Sequence, residues 1–366
     1  MTGAASLPRV EAVLERQRAA GLHPGACLVA TLDAEPAGTA AVGQARPGVA
    51  MGPETVVRWF SMTKVATALR AYMAWEAGAL TLDDPVASHL PAFAAGGKGA
   101  VTVRHLLTHT GGFRGADVGP NEARWDDELA RICATPQEQG WRPGRDAGYS
   151  RRAGFFVLAE VVRRALADDR PWEDIVANDV LSPLGMTASH LALDAVAHAE
   201  EAALAATYWD TPPVRPTPQE VVDDPVTAAV CVPGSSGRGP VAELPRLLEV
   251  LYLGGGGLLS PAVAEAVTAR HRTGLRDQTF GAVLDWGLGV ILDSKVHGRP
   301  LVPYGFGAAA SARTFGHGGS QSSGVLCDPE VGLVAAFACN GLCGEAAHSR
   351  RVHEVFTALY EDLGLA

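Results

Sequence analysis

The chain has 366 residues, 47% of them hydrophobic and 19% charged, which fits a folded protein of roughly two domains' length and excludes disorder. Thirty Lys and Arg against 40 Asp and Glu leave a formal net charge of −10, which argues against nucleic acid as a partner. No apolar run approaches the ~18 residues of a membrane span, so no membrane partner is expected either.

In chain order, Leu7, Val10 and Leu14 recur at helical spacing among charges, with Gly21 and Pro24 as the stop, so residues 7–20 are expected to form a docking helix. The same stretch lacks a charged start followed by an apolar segment; it does not read as a secretory signal, and the expected location is cytoplasmic. Residues 25–33 and 37–45 read as a β-hairpin turning near Ala34–Pro36. Helical patterns follow at 62–77, 102–108, 125–134, 154–167, 171–181 and 241–253, joined by Gly- and Pro-rich loops. Residues 207–225 carry five prolines and read as a long surface excursion. Strand patterns return at 285–293, 312–319, 322–329 and 331–340, with a tight turn at Asp328–Pro329–Glu330. A closing helix from about Glu345 to Leu363 would lay Val352, Val355, Phe356 and Leu359 on one sheet face. Strands at both ends with helices between predict an α+β fold: residues 1–60 and 235–366 build a sheet domain, and 61–234 a mainly helical one. A cleft between the two is the expected place for a site.

Six cysteines lie at 27, 133, 231, 327, 339 and 343. Cys27, Cys327 and Cys339 fall in apolar strand-like runs and read as buried thiols, and Cys339 with Cys343 lacks the second pair a zinc site needs. No metal or other cofactor is expected.

Lysine is scarce: Lys64, Lys98 and Lys295 stand against 27 arginines. Arginine keeps its proton in proteins whereas a desolvated lysine can lose it, so a retained lysine invites attention as a base. Lys64 follows Ser61 by three residues, and about 0.12 such Ser-x-x-Lys pairs are expected by chance from the composition. Met62, Val65, Leu69 and Met73 give the segment helical spacing, which places Ser61 and Lys64 one turn apart on one face. A neutral amine there can take the serine proton, and the helix N-terminus favours the alkoxide that results. The alternative is a serine cap beside a solvent-facing lysine. Tyr149, in PGRDAGYSRRAGF, follows a Gly-rich loop; a phenol held beside a lysine ammonium can have a lowered pKa and shuttle protons, a loop tyrosine capping a helix being the alternative. Gly318 and Gly319 after His317 weaken a strand unless something approaches its backbone, as a carbonyl in an oxyanion hole would; a simple bend is the plainer reading. The histidines of VRHLLTHTGG, His105 and His109, lack the glutamate of a zinc protease, and LLTHTGG reads as a helix end with Gly111 or Gly112 at its cap. Trp59, Phe60, Trp209, Trp286 and Tyr304 could line an apolar acyl pocket, core packing being the alternative for each.

Ser61-Met-Thr-Lys64, Tyr149-Ser150 and His317-Gly318-Gly319, in that order and with the connectors LTLDDPVASHLP, VRHLLTHTGG and LSPLGMTAS, resemble the serine β-lactamase/penicillin-recognising superfamily over roughly residues 20–360. The branch most similar is the class C-like one, with family VIII carboxylesterases, lovastatin-type transesterases and D-aminopeptidases. The resemblance implies an antiparallel β-sheet flanked by helices, with an inserted all-helical region. It implies that Ser61 attacks an ester or amide carbonyl, that Lys64 and Tyr149 move protons, and that the amides of Ser61 and Ser320 hold the oxyanion. His317, Gly318, Gly319, Arg151 and Trp59 would meet the substrate. Two departures bear on the substrate. His317 stands where β-lactamases carry a lysine that contacts a substrate carboxylate, and Arg151 stands where an amide-recognising asparagine would be. Both point to an ester-type small molecule and away from fast β-lactam hydrolysis. Transfer to water would make the protein an esterase; transfer to an amine or alcohol acceptor would make it a transacylase or transesterase. A D-aminopeptidase-like amidase and a non-catalytic ligand-binding protein are the alternatives.

Overall fold

The computed structural model describes residues 6–119, 124–221, 223–298 and 305–366. Its main sheet has seven antiparallel strands: β1 (Gly25–Leu32), β2 (Glu35–Arg46), β3 (Val49–Ala50), β4 (Ile291–Leu292), β5 (Phe315–Gly319), β6 (Ser323–Asp328) and β7 (Leu333–Cys339), in the order β4-β5-β6-β7-β1-β2-β3. The two ends of the chain meet where β1 pairs with β7, as the strand–helix–strand order requires. The helices that matter below are α1 (Pro8–Ala19), α2 (Thr63–Glu76), α3 (Val103–Leu107), α4 (Trp125–Ala134), α5 (Ala153–Leu166) and α6 (Glu345–Asp362). The α+β class and antiparallel sheet are those expected.

Strand alternation sorts the side chains between two cores. Ala26, Leu28, Ala335 and Phe337 face α1 and α6, where they pack with Val10, Leu14, Val352, Phe356 and Leu359. Cys27, Val29, Val334 and Ala336 face the other way, into the larger core that also holds Val65 and Leu69 of α2. α1 has no cap of its own; the Asp362 carboxylate at the end of α6 accepts from the amides of Arg9 and Val10 at 2.9 and 3.0 Å. All six cysteines are buried and free. No helix among the described residues is long and apolar enough to cross a membrane.

Three expectations need correction and a fourth a qualification. The hairpin turns on Asp33 and Ala34, both with positive φ (51° and 62°), so Pro36 falls inside β2. Residues 285–293 are not one strand: Gly287 donates to the Val290 carbonyl (2.9 Å), folding the segment on itself, and Ile291–Leu292 alone joins the sheet. The proline-rich surface excursion is largely exposed, but it also carries short strands: Tyr208–Asp210 pairs with Gln219–Val221 and, in parallel, with Gly341–Leu342. The helix expected over 241–253 is interrupted at Pro245, which has no N–H to donate, and runs regularly over Arg246–Tyr252.

Candidate active site

Ser61 sits in a tight turn, Phe60–Met62, that leads into α2. Three hydrogen bonds fix this turn: the Trp59 amide donates to the Gly237 carbonyl (2.7 Å), and the Thr63 hydroxyl donates to the Phe60 carbonyl (2.6 Å) while accepting from the Gly237 amide (2.9 Å). Phe60 has φ +48°, a conformation bulky residues rarely hold, so the backbone is strained immediately before the serine. Trp59 itself is wholly buried with its ring against Gly237.

Lys64, in the first turn of α2, is completely buried, and its Nζ has three acceptors. These are the Arg151 carbonyl at 2.7 Å, the Gly234 carbonyl at 2.9 Å and Ser61 Oγ at 3.2 Å. Thr67, one turn along α2, holds the loop bearing Gly234 by donating to the Pro233 carbonyl (2.6 Å). Burial pushes the Lys64 ammonium down to about 7, against the opposing pull of Asp117. The carbonyls engage two of its N–H groups, so once the third proton is lost the lone pair faces Ser61. The Arg151 side chain is exposed; this residue reaches the site through its backbone oxygen.

Tyr149 is buried beside this amine, with Lys64 Nζ 5.1 Å from its ring centroid. The expected lowering of the phenol is not found. Burial pushes Tyr149 up, and Asp117, Glu345 and Asp277 push the same way, while the Ser61 hydroxyl alone pulls it down. The three acceptors of Lys64 Nζ do not include the Tyr149 hydroxyl, so the amine does not hold a phenolate. Tyr149 is therefore a neutral phenol.

The strand β5 brings His317, Gly318 and Gly319 against the Ser61 turn. A Cβ on Gly319 would lie 2.4 Å from the Trp59 carbonyl, so the glycine admits the protein's own backbone. Ser320 follows, its hydroxyl donating to Glu345 (2.7 Å). His317 is buried 6.1 Å from the Tyr149 ring centroid. Burial, then the neighbouring Lys64, pushes its imidazole down to about 3, so it is neutral at neutral pH and offers no cation to a carboxylate.

The expected acyl-pocket aromatics scatter. Trp286 is buried against Tyr149 and His109, and Trp209 lines a groove of about 250 Å³ with Pro24, Gln44, Arg46, Pro47 and Pro218, none of them a candidate site residue. Tyr304 lies outside the described residues.

Three residues from other elements support the tyrosine loop. His109 ends α3 in place of Gly111 or Gly112, with φ +55°, and its Nδ1 accepts from the Ser150 amide (3.2 Å). Asp117 grips the amides of residues 151–153. Asp277 accepts from the amides of Tyr149, Thr279 and Phe280 at 3.1, 2.9 and 3.1 Å and from Arg272 at 2.9 Å, with both ions fully enclosed. Asp277→Ala strands the Arg272 cation and frees the tyrosine loop; it is expected to cost about 3–5 kcal/mol. Urea denaturation should show that loss as a lower midpoint at unchanged slope.

A family model described as Beta-lactamase matches residues 10–358. The chain belongs to the beta-lactamase family. It is an enzyme, a beta-lactamase-fold serine hydrolase. Among curated members, penicillin-binding protein 4 of Amycolatopsis lactamdurans is 27% identical over 300 residues, 80% of this chain and 74% of that protein. Esterase EstB of Burkholderia gladioli is 27% identical over 322 residues, 78% of this chain and 77% of the other. A novel penicillin-binding protein homologue from Caulobacter crescentus superposes with a TM-score of 0.79 at 28% identity, covering 99% of both chains.

Proposed function

We propose that this beta-lactamase family member is a serine acyl-enzyme hydrolase or acyltransferase for ester-type small molecules. The observation that carries this reading is the Lys64 cage, in which two carbonyls hold an amine made easy to deprotonate by burial so that it faces Ser61. Ser61 Oγ bonds to the ester carbonyl carbon as its proton passes to Lys64, and the carbonyl electron pair moves to oxygen, where the amides of Ser61 and Ser320 receive it. Collapse breaks the bond to the leaving alcohol. That alcohol takes the proton from Lys64, with the Tyr149 hydroxyl donating a hydrogen bond to it. Water, or an amine or alcohol acceptor, then attacks acyl-Ser61 by the reverse of these steps.

The ester preference rests on the neutral His317 and on Arg151, which contributes a backbone carbonyl in place of a side-chain amide. An amide-cleaving site would have to hold the substrate amide with other groups. Incubation with p-nitrophenyl esters, followed by intact mass measurement, should show one acyl group added and mapped to Ser61. Ester turnover with no adduct at Ser61 overturns the proposal. Millimolar amines and alcohols should yield transfer products; if water always wins, the transfer branch is lost and an esterase remains.

A further inference from the structure

The carboxylate of Asp117, at the end of the short turn Arg114–Asp117, holds four groups of the loop that carries Tyr149. Its Oδ1 accepts from the Ser150 hydroxyl at 2.8 Å and from the amides of Arg152 and Ala153 at 2.9 and 2.8 Å. Its Oδ2 accepts from the Arg151 amide at 2.8 Å. The residue preceding α5 gives that helix no side-chain cap, so Asp117 serves as a cap lent by another element. The residue held at its amide by Asp117 is also the one whose carbonyl lies 2.7 Å from Lys64 Nζ.

We propose that Asp117 is a positioning residue for the base: by clamping the amides of residues 151–153 it aims the Arg151 carbonyl at Lys64, and it supplies a negative charge that acts on that amine. The proposal rests on the reading of Lys64 as the base. It agrees with the upward pull of Asp117 on the Lys64 ammonium. The other titratable groups facing Lys64 are Tyr149, pushed up by burial, and His109 and His317, both pushed down by it. Asp117 is itself faced by Arg114 and Arg131, and Arg152 is bound to it by backbone; Glu128 pairs with both Arg131 and Arg152.

The scarcity of lysine makes a direct test available. Protein labelled with [ε-13C]lysine has three side-chain signals to follow, and Lys64→Arg identifies the one from Lys64. In the wild type this signal should titrate near pH 7. In Asp117→Asn its midpoint should fall by about one unit, with kcat falling several-fold and the acidic limb of the rate profile moving the same way. A merely structural role has the opposite sign, because a loosened loop admits water and lets the ammonium climb back toward the ordinary lysine range. A midpoint that rises or does not move overturns the proposal. If the wild-type signal itself titrates in the ordinary range, the base assignment fails; if it titrates near 7 and Asp117→Asn leaves it there, Asp117 alone is wrong. Should Asp117→Asn not fold, as the Lys98 and Lys295 signals would reveal, Asp117→Glu keeps the charge and displaces the carboxylate. Lys64 should then keep its midpoint while kcat drops, and an unchanged kcat overturns the positioning role.

Discussion

Lys64→Arg is expected to lower ester turnover by about a thousandfold or more, although it preserves the charge. General base catalysis contributes roughly 10²–10⁴ in rate, and a guanidinium cannot lose its proton to serve. The cage is also cut to an ammonium, with two backbone carbonyls and one serine oxygen at 2.7–3.2 Å around a single nitrogen. The pH profile separates this from simple misfit. Lys64 is lowered to about 7, so the fraction of free amine grows as pH rises. Wild-type kcat/KM should therefore climb through pH 7, tenfold per unit well below it. Lys64→Arg should lose that limb altogether. Retention of more than a few per cent of activity, or an unchanged limb, removes Lys64 from the role of base.

Ser61→Ala should lower turnover by about 10⁴-fold or more and abolish the covalent adduct, since a methyl group cannot form the acyl bond. The fold should survive. Ser61 is nearly buried in a turn whose hydrogen bonds are made by Trp59, Thr63 and Gly237, and none of them uses the serine hydroxyl. Thermal melting beside the activity measurement checks this: a variant that melts like the wild type and still hydrolyses esters at comparable rates would mean that another nucleophile does the work.

What the sequence conveys here depends on how local the cause is. Ser61 and Lys64 are one turn apart, so helical periodicity alone brings them together, and the hydrophobic pattern locates α1, α2, α4 and α6 to within a residue or two. The alternation in β1 and β7 is equally local. Other features depend on what lies across space. The protonation of Tyr149 is governed by burial and by three carboxylates from separate elements, so reading it beside a lysine inverts the direction of its shift. Arg151 acts through a carbonyl, which no residue type announces. Asp117 ends a short turn and Asp277 a two-residue strand, 32 residues before and 128 after the tyrosine they help place; no spacing rule links them to it. Gly319 looked like room for a visitor and proved to be room for the Trp59 backbone.

The three lysines have one more thing in common. Lys98 is sealed among the carbonyls of Ala95, Cys133 and Thr135, and Lys295 leans on those of Ala308 and Ala310. With Lys64 likewise enclosed, the chain presents hardly any side-chain amine to electrophiles, and its remaining cationic side chains are guanidinium groups that stay inert to activated esters near neutrality. Reagents that tag amines should therefore leave most of this surface unlabelled.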